Sequence, residues 1–481
     1  MRCDTYRLPP QPAAWGCTCV PLRAVILRVF APAPSPVRPD ALLTPLAPGE
    51  AYAADVARLN GRVPIGPADD AWLALAHVLA RAAQLPGAQR APLLAASADG
   101  AADLLPFGVP APVREVLEAA VEGLRVLAER LRGVGGPARR TGMTGPDMKD
   151  VHAAVGALQA AVGQQEQAGA FVLAFSTLAA LRSALAPVLD RRAEGLLLAQ
   201  QGRVARQLGA MATAAELYTE SVRAARAARA PDVAARALIG GGVLAGMRGN
   251  YPEARALFRR GIAAAGRSGA AEHRRAGHHG LFVAALAARD VETALTHGWA
   301  AFHEIPLSAA EEKAEMLLNL GDLGRHTGEF RASLGACLTA LALTNSPRLR
   351  LPALATAALA GAHLSAVGLL PFFEREVERM IDRSGQPFEN ARALVEMAEA
   401  YATVCDPKAL GLAQRAETIS AGRFHELTAR AEAVRACMDR AIQQRSTTSV
   451  VSVTWSPRAR QILAALERME VSAPYVELVA C

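Results

Sequence analysis

The sequence predicts an all-α fold, an α-solenoid of about seven helical hairpins with a small helical N-terminal region. A similar pattern of small, turn and aromatic residues recurs about every 40 residues between Val151 and Arg445. The chain is 52% hydrophobic but only 5% aromatic, and it is rich in Ala, Leu, Arg and Glu, which favours helices. Almost no stretch of the first 445 residues has the β-branched alternation of a sheet.

The N-terminal leader, residues 1–40, is dense in proline. Proline interrupts both helices and strand ladders, so this segment is predicted to be disordered or extended. It also contains Cys17-x-Cys19 with Cys3 nearby. That spacing lacks the paired knuckles of a zinc site and is typical of free thiols.

Residues 41–135 are predicted to form a small helical region. One helical pattern begins at Asp69, a second covers 91–105, and a third runs from Val113 to Leu131 with apolar residues at three- and four-residue steps. The Gly- and Pro-rich residues 136–150 are predicted to be a linker.

The repeat array is predicted at 151–445. Equivalent first-helix sites are separated by 40, 40, 40, 39, 40 and 37 residues. These sites are Val162, Gly202, Gly242, Phe282, Gly321, Gly361 and Ala398. A stack of similar hairpins keeps such a period, whereas a single globular core has no reason to do so.

Each recurring residue type has a physical reason. A small residue on the first helix lets the second helix approach closely, and an aromatic such as Tyr218 or Phe258 fills the gap to the next hairpin. A turn glycine is expected to end the first helix in a left-handed conformation. The candidate turn glycines are Gly169, Gly249, Gly328 and Gly368.

The last segment, 446–481, is predicted to be a tail or cap. Its residues 447–455 are β-prone, and Ser456-Pro457 is expected to begin a short helix, with Ser456 as N-cap and Pro457 in the first turn.

The array resembles tetratricopeptide (TPR) repeats. The resemblance rests on the first-helix glycines, the turn Gly249-x-Tyr251 and the second-helix Ala254-x-x-x-Phe258, and it covers about 295 residues. The period exceeds the family's usual 34, and the family's early tryptophan is missing, which indicates a divergent subtype with longer helices. The resemblance implies a right-handed superhelix that binds a peptide or protein segment along its concave face, lined by first helices.

Carried over from the resemblance, the inward-facing partner-binding residues are Arg203, Arg206, Gln207, Arg236, His279, Asp322, Arg325 and His326, together with Gln159, Gln167 and Arg392. Guanidinium groups bind carboxylates well, so an acidic or C-terminal peptide is the expected ligand, held near Arg203, Arg206, Arg236 and Arg325.

Composition disfavours other function classes. The net charge is +7, but the arginines are scattered rather than clustered on one face, so nucleic-acid binding is not expected. Seven dispersed cysteines indicate a reducing compartment, and no apolar run is long enough to span a membrane, so a cytoplasmic location is expected. We expect no enzymatic activity, cofactor or metal site, because no catalytic motif accompanies the serines and no Glu or Cys completes a metal site with His273, His278 and His279.

The sequence leaves an alternative open, the sensory part of a transcriptional or signalling regulator whose N-terminal helices contact DNA or another protein. Residues 102–116 are loosely similar to a helix-turn-helix turn, and 456–463 resemble the opening helix of a LuxR-type DNA-binding domain. The sequence names neither the partner nor the oligomeric state.

Overall fold

The computed structural model describes residues 79, 82–83, 85, 89–95, 98, 111–134, 145–167, 171–384, 387–421, 424–441 and 453–469. The predicted leader, its cysteine pair, most of the first two predicted N-terminal helices and Gly169 therefore lie outside the described residues. The described chain divides into two compact units, which we call the N-terminal unit (up to His273) and the C-terminal unit (from Arg274).

The described residues form α-helices, with one short 3-10 helix, as the composition predicted. The helices of the N-terminal unit are α1 Ala111–Val134, α2 Gly145–Gln167, α3 Phe171–Leu185, α4 Arg191–Gln207, α5 Met211–Ala227, α6 Pro231–Met247 and α7 Tyr251–Ser268. Helix α8, Ala271–Ala287, contains the boundary between the units. The helices of the C-terminal unit are α9 Val291–Glu304, α10 Ala310–His326, α11 Phe330–Leu343, α12 Pro347–His363, a 3-10 helix Val367–Leu369, α13 Leu370–Ser384, α14 Pro387–Thr403, α15 Lys408–Ser420, α16 His425–Ala441 and α17 Pro457–Glu467.

The helices pack as adjacent pairs, which is consistent with an α-solenoid. Turns of three residues join α4 to α5, α6 to α7, α8 to α9 and α10 to α11. Helix α1 confirms the predicted helix at 113–131, whereas α2 begins at Gly145, within the predicted linker. We use "first helix" for the even-numbered members α2 to α14 and "second helix" for the odd-numbered helices that follow them.

The 40-residue period is visible in the way first helices end. Six of them are followed by a residue of positive φ, spaced 40, 40, 39, 37 and 40 apart: Gly209, Gly249, Arg289, Gly328, Ser365 and Cys405. In each case the next residue donates its N–H to the carbonyl five residues earlier, as in Ala210 to Ala205 and Asp406 to Tyr401, both at 2.9 Å. This bond satisfies a carbonyl that the helix end would otherwise leave without a partner.

The turn prediction was right for Gly249 and Gly328 but wrong for Gly368. Gly368 lies in the 3-10 helix, and Ser365 takes the left-handed position three residues earlier. Helix α12 ends at His363, so the turn comes before the glycine that the sequence pattern singled out.

In three hairpins a glycine on one helix packs against an aromatic ring on the other, sixteen residues away in the chain. A Cβ on Gly202 would lie 3.1 Å from the Tyr218 ring, and one on Gly242 would lie 2.7 Å from the Phe258 ring. In the α8–α9 hairpin the order is reversed, because Phe282 is on the first helix and a Cβ on Gly298 would lie 2.9 Å from its ring. The predicted close approach is therefore confirmed for these hairpins.

The same prediction fails at Gly361, where an added Cβ would meet nothing within 4 Å. The first-helix glycine of that hairpin is not required by close packing.

The C-terminal helix α17 begins as predicted, with the Ser456 hydroxyl accepting from the N–H of Ala459 and Pro457 in the first turn. It packs against α9 and α11 of the C-terminal unit. Of the predicted β-prone segment, residues 453–455 are described and carry no regular structure.

Candidate functional site

Three arginines and one glutamate come together on the first helices of the N-terminal unit. Glu166 lies on α2, Arg203 and Arg206 on α4, and Arg236 on α6, and we call these four residues the arginine cluster. Glu166 and Arg206 are 40 residues apart and so take corresponding positions on successive first helices. Arg236 lies seven residues before the position that corresponds to Arg203, yet the charges of Arg203 and Glu166 both act on it.

Glu166 is buried and already has partners. Its Oε1 accepts from Arg203 Nη2 at 2.8 Å and from Gln200 Nε2 at 3.0 Å. Gln200 Nε2 also donates to the backbone carbonyl of Gln159 at 3.2 Å. The charge of Arg203 is therefore balanced within the protein.

Tyr218 reaches this face from the second helix α5. A Cβ on Gly240 would lie 2.3 Å from the Tyr218 ring and 2.8 Å from its hydroxyl, so both Gly202 and Gly240 leave room for the side chain. Burial raises the pKa of Tyr218, and the nearby positive charges of Arg206, Arg203 and Arg236 act in the opposite direction. Tyr218 thus stays protonated at neutral pH and offers its O–H as a donor.

Arg236 is the least compensated cation of the arginine cluster. It is half-buried and makes no hydrogen bond or ion pair with any described residue. Burial and the neighbouring Arg203 lower its pKa, while the charges of Glu166 and Glu272 act in the opposite direction. An anion placed here would relieve both the desolvation and the repulsion.

Arg206 is the second cation with spare donors. Its Nη1 contacts Met247 Sδ at 3.7 Å, and its Nε is buried without a partner. Sulfur is a weak acceptor, so this contact leaves most of the guanidinium donors available.

Other buried polar atoms on the same first helices lack a hydrogen-bond partner. They are Gln159 Nε2, both side-chain amide atoms of Gln165, Gln200 Oε1, Gln201 Oε1, Arg203 Nε and Gln207 Oε1. A buried polar group without a partner costs about 1–3 kcal/mol. Their concentration on α2 and α4 indicates that water or a ligand completes this part of the N-terminal unit.

The other predicted site residues lie in the C-terminal unit, and Asp322 and Arg392 do not line an open surface. Arg392 is fully buried and donates through Nη2 to both Asp322 oxygens, at 2.7 and 2.5 Å, and through Nε to Glu396 at 2.9 Å. Thr356 donates to Glu396 at 2.8 Å. The interpretation of Asp322 and Arg392 as ligand-contacting residues is corrected, because this network joins the first helices α10, α12 and α14 internally.

Arg325 and His326 lie beside that network. Arg325 Nη2 is 2.8 Å from His326 Nε2 and 3.7 Å from Glu396 Oε1. Burial, followed by the charges of Arg325, Arg430 and Arg392, lowers the pKa of His326 well below its ordinary value. His326 is therefore neutral and accepts the hydrogen bond from Arg325.

His279 stacks on Phe282, with ring centroids 6.2 Å apart, and its Nε2 is buried without a partner. Burial lowers its pKa. The adjacent His278 instead faces His297, Nδ1 to Nδ1 at 3.0 Å. Across the described ranges, no three His, Cys, Asp or Glu side chains come close enough together to hold a metal ion.

The sequence identified Arg203, Arg206, Gln207 and Arg236 but missed Glu166, Gln200 and the polar role of Tyr218. Tyr218 was assigned to packing, which describes its ring but not its hydroxyl. The glycines 240 to 242 were interpreted as packing positions rather than a phosphate-binding loop. The contacts of Gly240 with Tyr218 and of Gly242 with Phe258 confirm this.

Among the helices that the structure describes, none has both the length and the apolar character needed to cross a bilayer. No known family model matches the chain, and no curated protein is similar to it in sequence.

Proposed function

We propose that this protein is a non-catalytic interaction scaffold that binds an acidic protein segment. The segment lies across the surface formed by the first helices α2, α4 and α6 of the N-terminal unit, which we call the first-helix face. The observation that carries the proposal is the arginine cluster, where Arg206 and Arg236 keep unused donors beside buried amides that lack partners. Three arginines face one glutamate there, so the excess charge is positive and complementary to carboxylates.

The chemistry of this face favours binding over catalysis. Arginine and glutamine side chains do not exchange protons at neutral pH, and burial raises the pKa of Tyr218 further from that range. Such groups recognise a charge and satisfy a peptide backbone, but they provide no general acid or base.

We further propose that the hairpins are divergent TPR-like repeats that stack with a right-handed twist within each unit. The repeated helix ends and the small-to-large pairing across hairpins support this.

A cytoplasmic location is part of the proposal, supported by the free thiols of Cys337, Cys405 and Cys437.

The test begins with selection of twelve-residue peptides from a random display library on the full chain. The selected peptides are then titrated by fluorescence anisotropy. Val243 lies on α6, 40 residues after Arg203, so Val243→Trp places a bulky ring at the corresponding position of the next first helix. The control is Arg223→Trp on the second helix α5, where the native side chain is exposed.

We expect the selected peptides to be rich in Asp and Glu. We also expect Val243→Trp to weaken their binding at least tenfold and Arg223→Trp to leave it unchanged. Arg236→Gln should weaken binding as well, because it removes the unpaired cation. Equal affinity for the wild type and Val243→Trp would show that the first-helix face is not the binding surface. A library that yields no acidic peptides would contradict the proposed ligand class.

A further inference from the structure

Helix α17 occupies a position that the repeat pattern does not account for. It follows α16 in sequence, yet it packs against α9 and α11, the second helices of two earlier hairpins. Its first contact is the bond from Trp455 Nε1 to Glu329 Oε1, 2.6 Å long and joining residues 126 positions apart. A helix that simply ended the stack would pack on α15 or α16 instead.

The surface that receives α17 is shaped for a helix backbone. Gly335 lies in the middle of α11, and a Cβ there would come within 2.4 Å of the Leu466 carbonyl oxygen. The three atoms nearest to that Cβ all belong to Leu466 and Glu467 of α17. Glycine within a helix destabilises it relative to alanine. The close approach of α17 is the contact that explains this glycine.

The side of α17 that faces α9 and α11 is a short apolar stripe. Ala459, Ile462, Leu463 and Leu466 are buried, at the i, i+3, i+4 and i+7 positions of one helix face. Gln461 and Arg468 on the other side are exposed. The helix has only 11 residues, and isolated helices of that length are marginal in water. Its helical structure therefore depends on the surface beneath it.

The start of α17 borders an open groove on the surface of the C-terminal unit. The groove has a volume of about 480 Å³, and Glu329, Trp455, Arg460 and Leu463 are among its lining residues. The Trp455–Glu329 hydrogen bond lies beside this groove, so a competing chain can approach it from solvent. Within the described residues, α17 is held by the Trp455–Glu329 hydrogen bond, by the backbone contact at Gly335 and by the buried side chains of Trp455 and the apolar stripe.

We propose that α17 is a detachable strap and that the surface on α9 and α11 which it covers is a helix-binding site. The site accepts an amphipathic helix with small or aliphatic residues at i, i+3, i+4 and i+7, preceded by a tryptophan that bonds to Glu329. In the intact chain α17 occupies the site as a tethered ligand, and a partner helix of the same pattern competes with it. This proposal is independent of acidic-segment binding in the N-terminal unit.

The test uses the full chain and a fluorescein-labelled peptide with the sequence of residues 453–469. A tethered segment competes at an effective concentration in the millimolar range. The wild type should therefore bind the peptide weakly. Leu463→Asp disables the strap without altering the site, and Gln461→Asp is the matched control, because it adds the same charge on the exposed side of α17.

We expect Leu463→Asp to bind the peptide at least tenfold more tightly than the wild type, and Gln461→Asp to match the wild type. Adding Gly335→Leu to Leu463→Asp should abolish this increase in peptide affinity, because the new leucine side chain fills the space that the backbone of the bound helix needs. Leu463→Asp binding no better than Gln461→Asp would overturn the proposal. Collapse of the whole C-terminal unit in Leu463→Asp, seen as a lost cooperative thermal transition, would also overturn it.

Hydrogen exchange on the unaltered protein provides an independent measurement. A detachable strap opens without unfolding its site, so amides of residues 460–467 should exchange at least tenfold faster than those in the middle of α11. Equal exchange in the two helices would mean that α17 is an integral part of the C-terminal unit.

Discussion

Replacement of Phe258 by alanine tests the packing rule that builds the hairpins. Phe258 is completely buried on α7, and its ring lies over Gly242 on α6. Removing a buried phenylalanine ring costs about 3–5 kcal/mol. We expect the upper part of that range, because Gly242 has no side chain that could move into the cavity.

The measurement is urea unfolding of the full chain, with Leu307→Ala as the control, since Leu307 is 89% exposed. With an m-value of about 2 kcal/mol/M, the midpoint for the affected transition should fall by roughly 2 M. Hydrogen exchange should place the loss in α6 and α7, because repeat stability depends on nearest neighbours. A midpoint no lower than that of Leu307→Ala would refute the assigned packing of Phe258.

Three further predictions follow from the same structure. Gly328→Ala should destabilise the protein by about 1–2 kcal/mol because the φ of Gly328 is positive. Gly368→Ala should destabilise it less, because Gly368 lies in the 3-10 helix. Equal urea midpoints for these two variants would contradict the corrected turn position. Arg392→Ala should destabilise by about 3–5 kcal/mol because it removes the cation that hydrogen-bonds two buried carboxylates, Asp322 and Glu396. A thermal unfolding curve like that of the wild type would contradict this role. The lowered pKa of His326 means that the unfolded chain takes up this proton near pH 6.5 while the folded chain resists it, so folding weakens as the pH falls below about 6.5. Gln does not titrate, so His326→Gln should remove up to about 1.4 kcal/mol per pH unit of that loss. The difference in urea midpoint between His326→Gln and the wild type should therefore change between pH 7.5 and pH 5.5, and the same difference at both pH values would contradict this.

The sequence predicted the structure correctly where the required residue type depends on contacts close by in the chain. Left-handed turns at Gly249 and Gly328, the N-cap at Ser456 and the pairing of Gly242 with Phe258 all depend on contacts within one hairpin or one helix end. Gly368 shows the limit of this reasoning, because the end of α12 moved the turn to Ser365. A side chain can occupy the left-handed conformation when the surrounding helices require it.

The candidate site was predicted only as a set of side chains on one face. Helical register placed Arg203, Arg206 and Arg236 there, but it could not show that Glu166 neutralises Arg203 and leaves Arg236 without an ion pair. For the same reason Asp322 and Arg392, 70 residues apart, seemed available for binding until the structure placed them in contact. The availability of a charge depends on the residue opposite it, and periodicity does not specify that residue.

The sequence by itself determined the helical hairpin, its 40-residue repeat and the glycine turns at Gly249 and Gly328, because these follow from local sterics and from contacts about sixteen residues apart. Only the tertiary structure decided which buried charges are paired, that the Tyr218 hydroxyl reaches the first-helix face, and that α17 returns to α11. These features join segments that are distant in the chain. Their free energy depends on desolvation and on backbone approach in three dimensions, which no local pattern records.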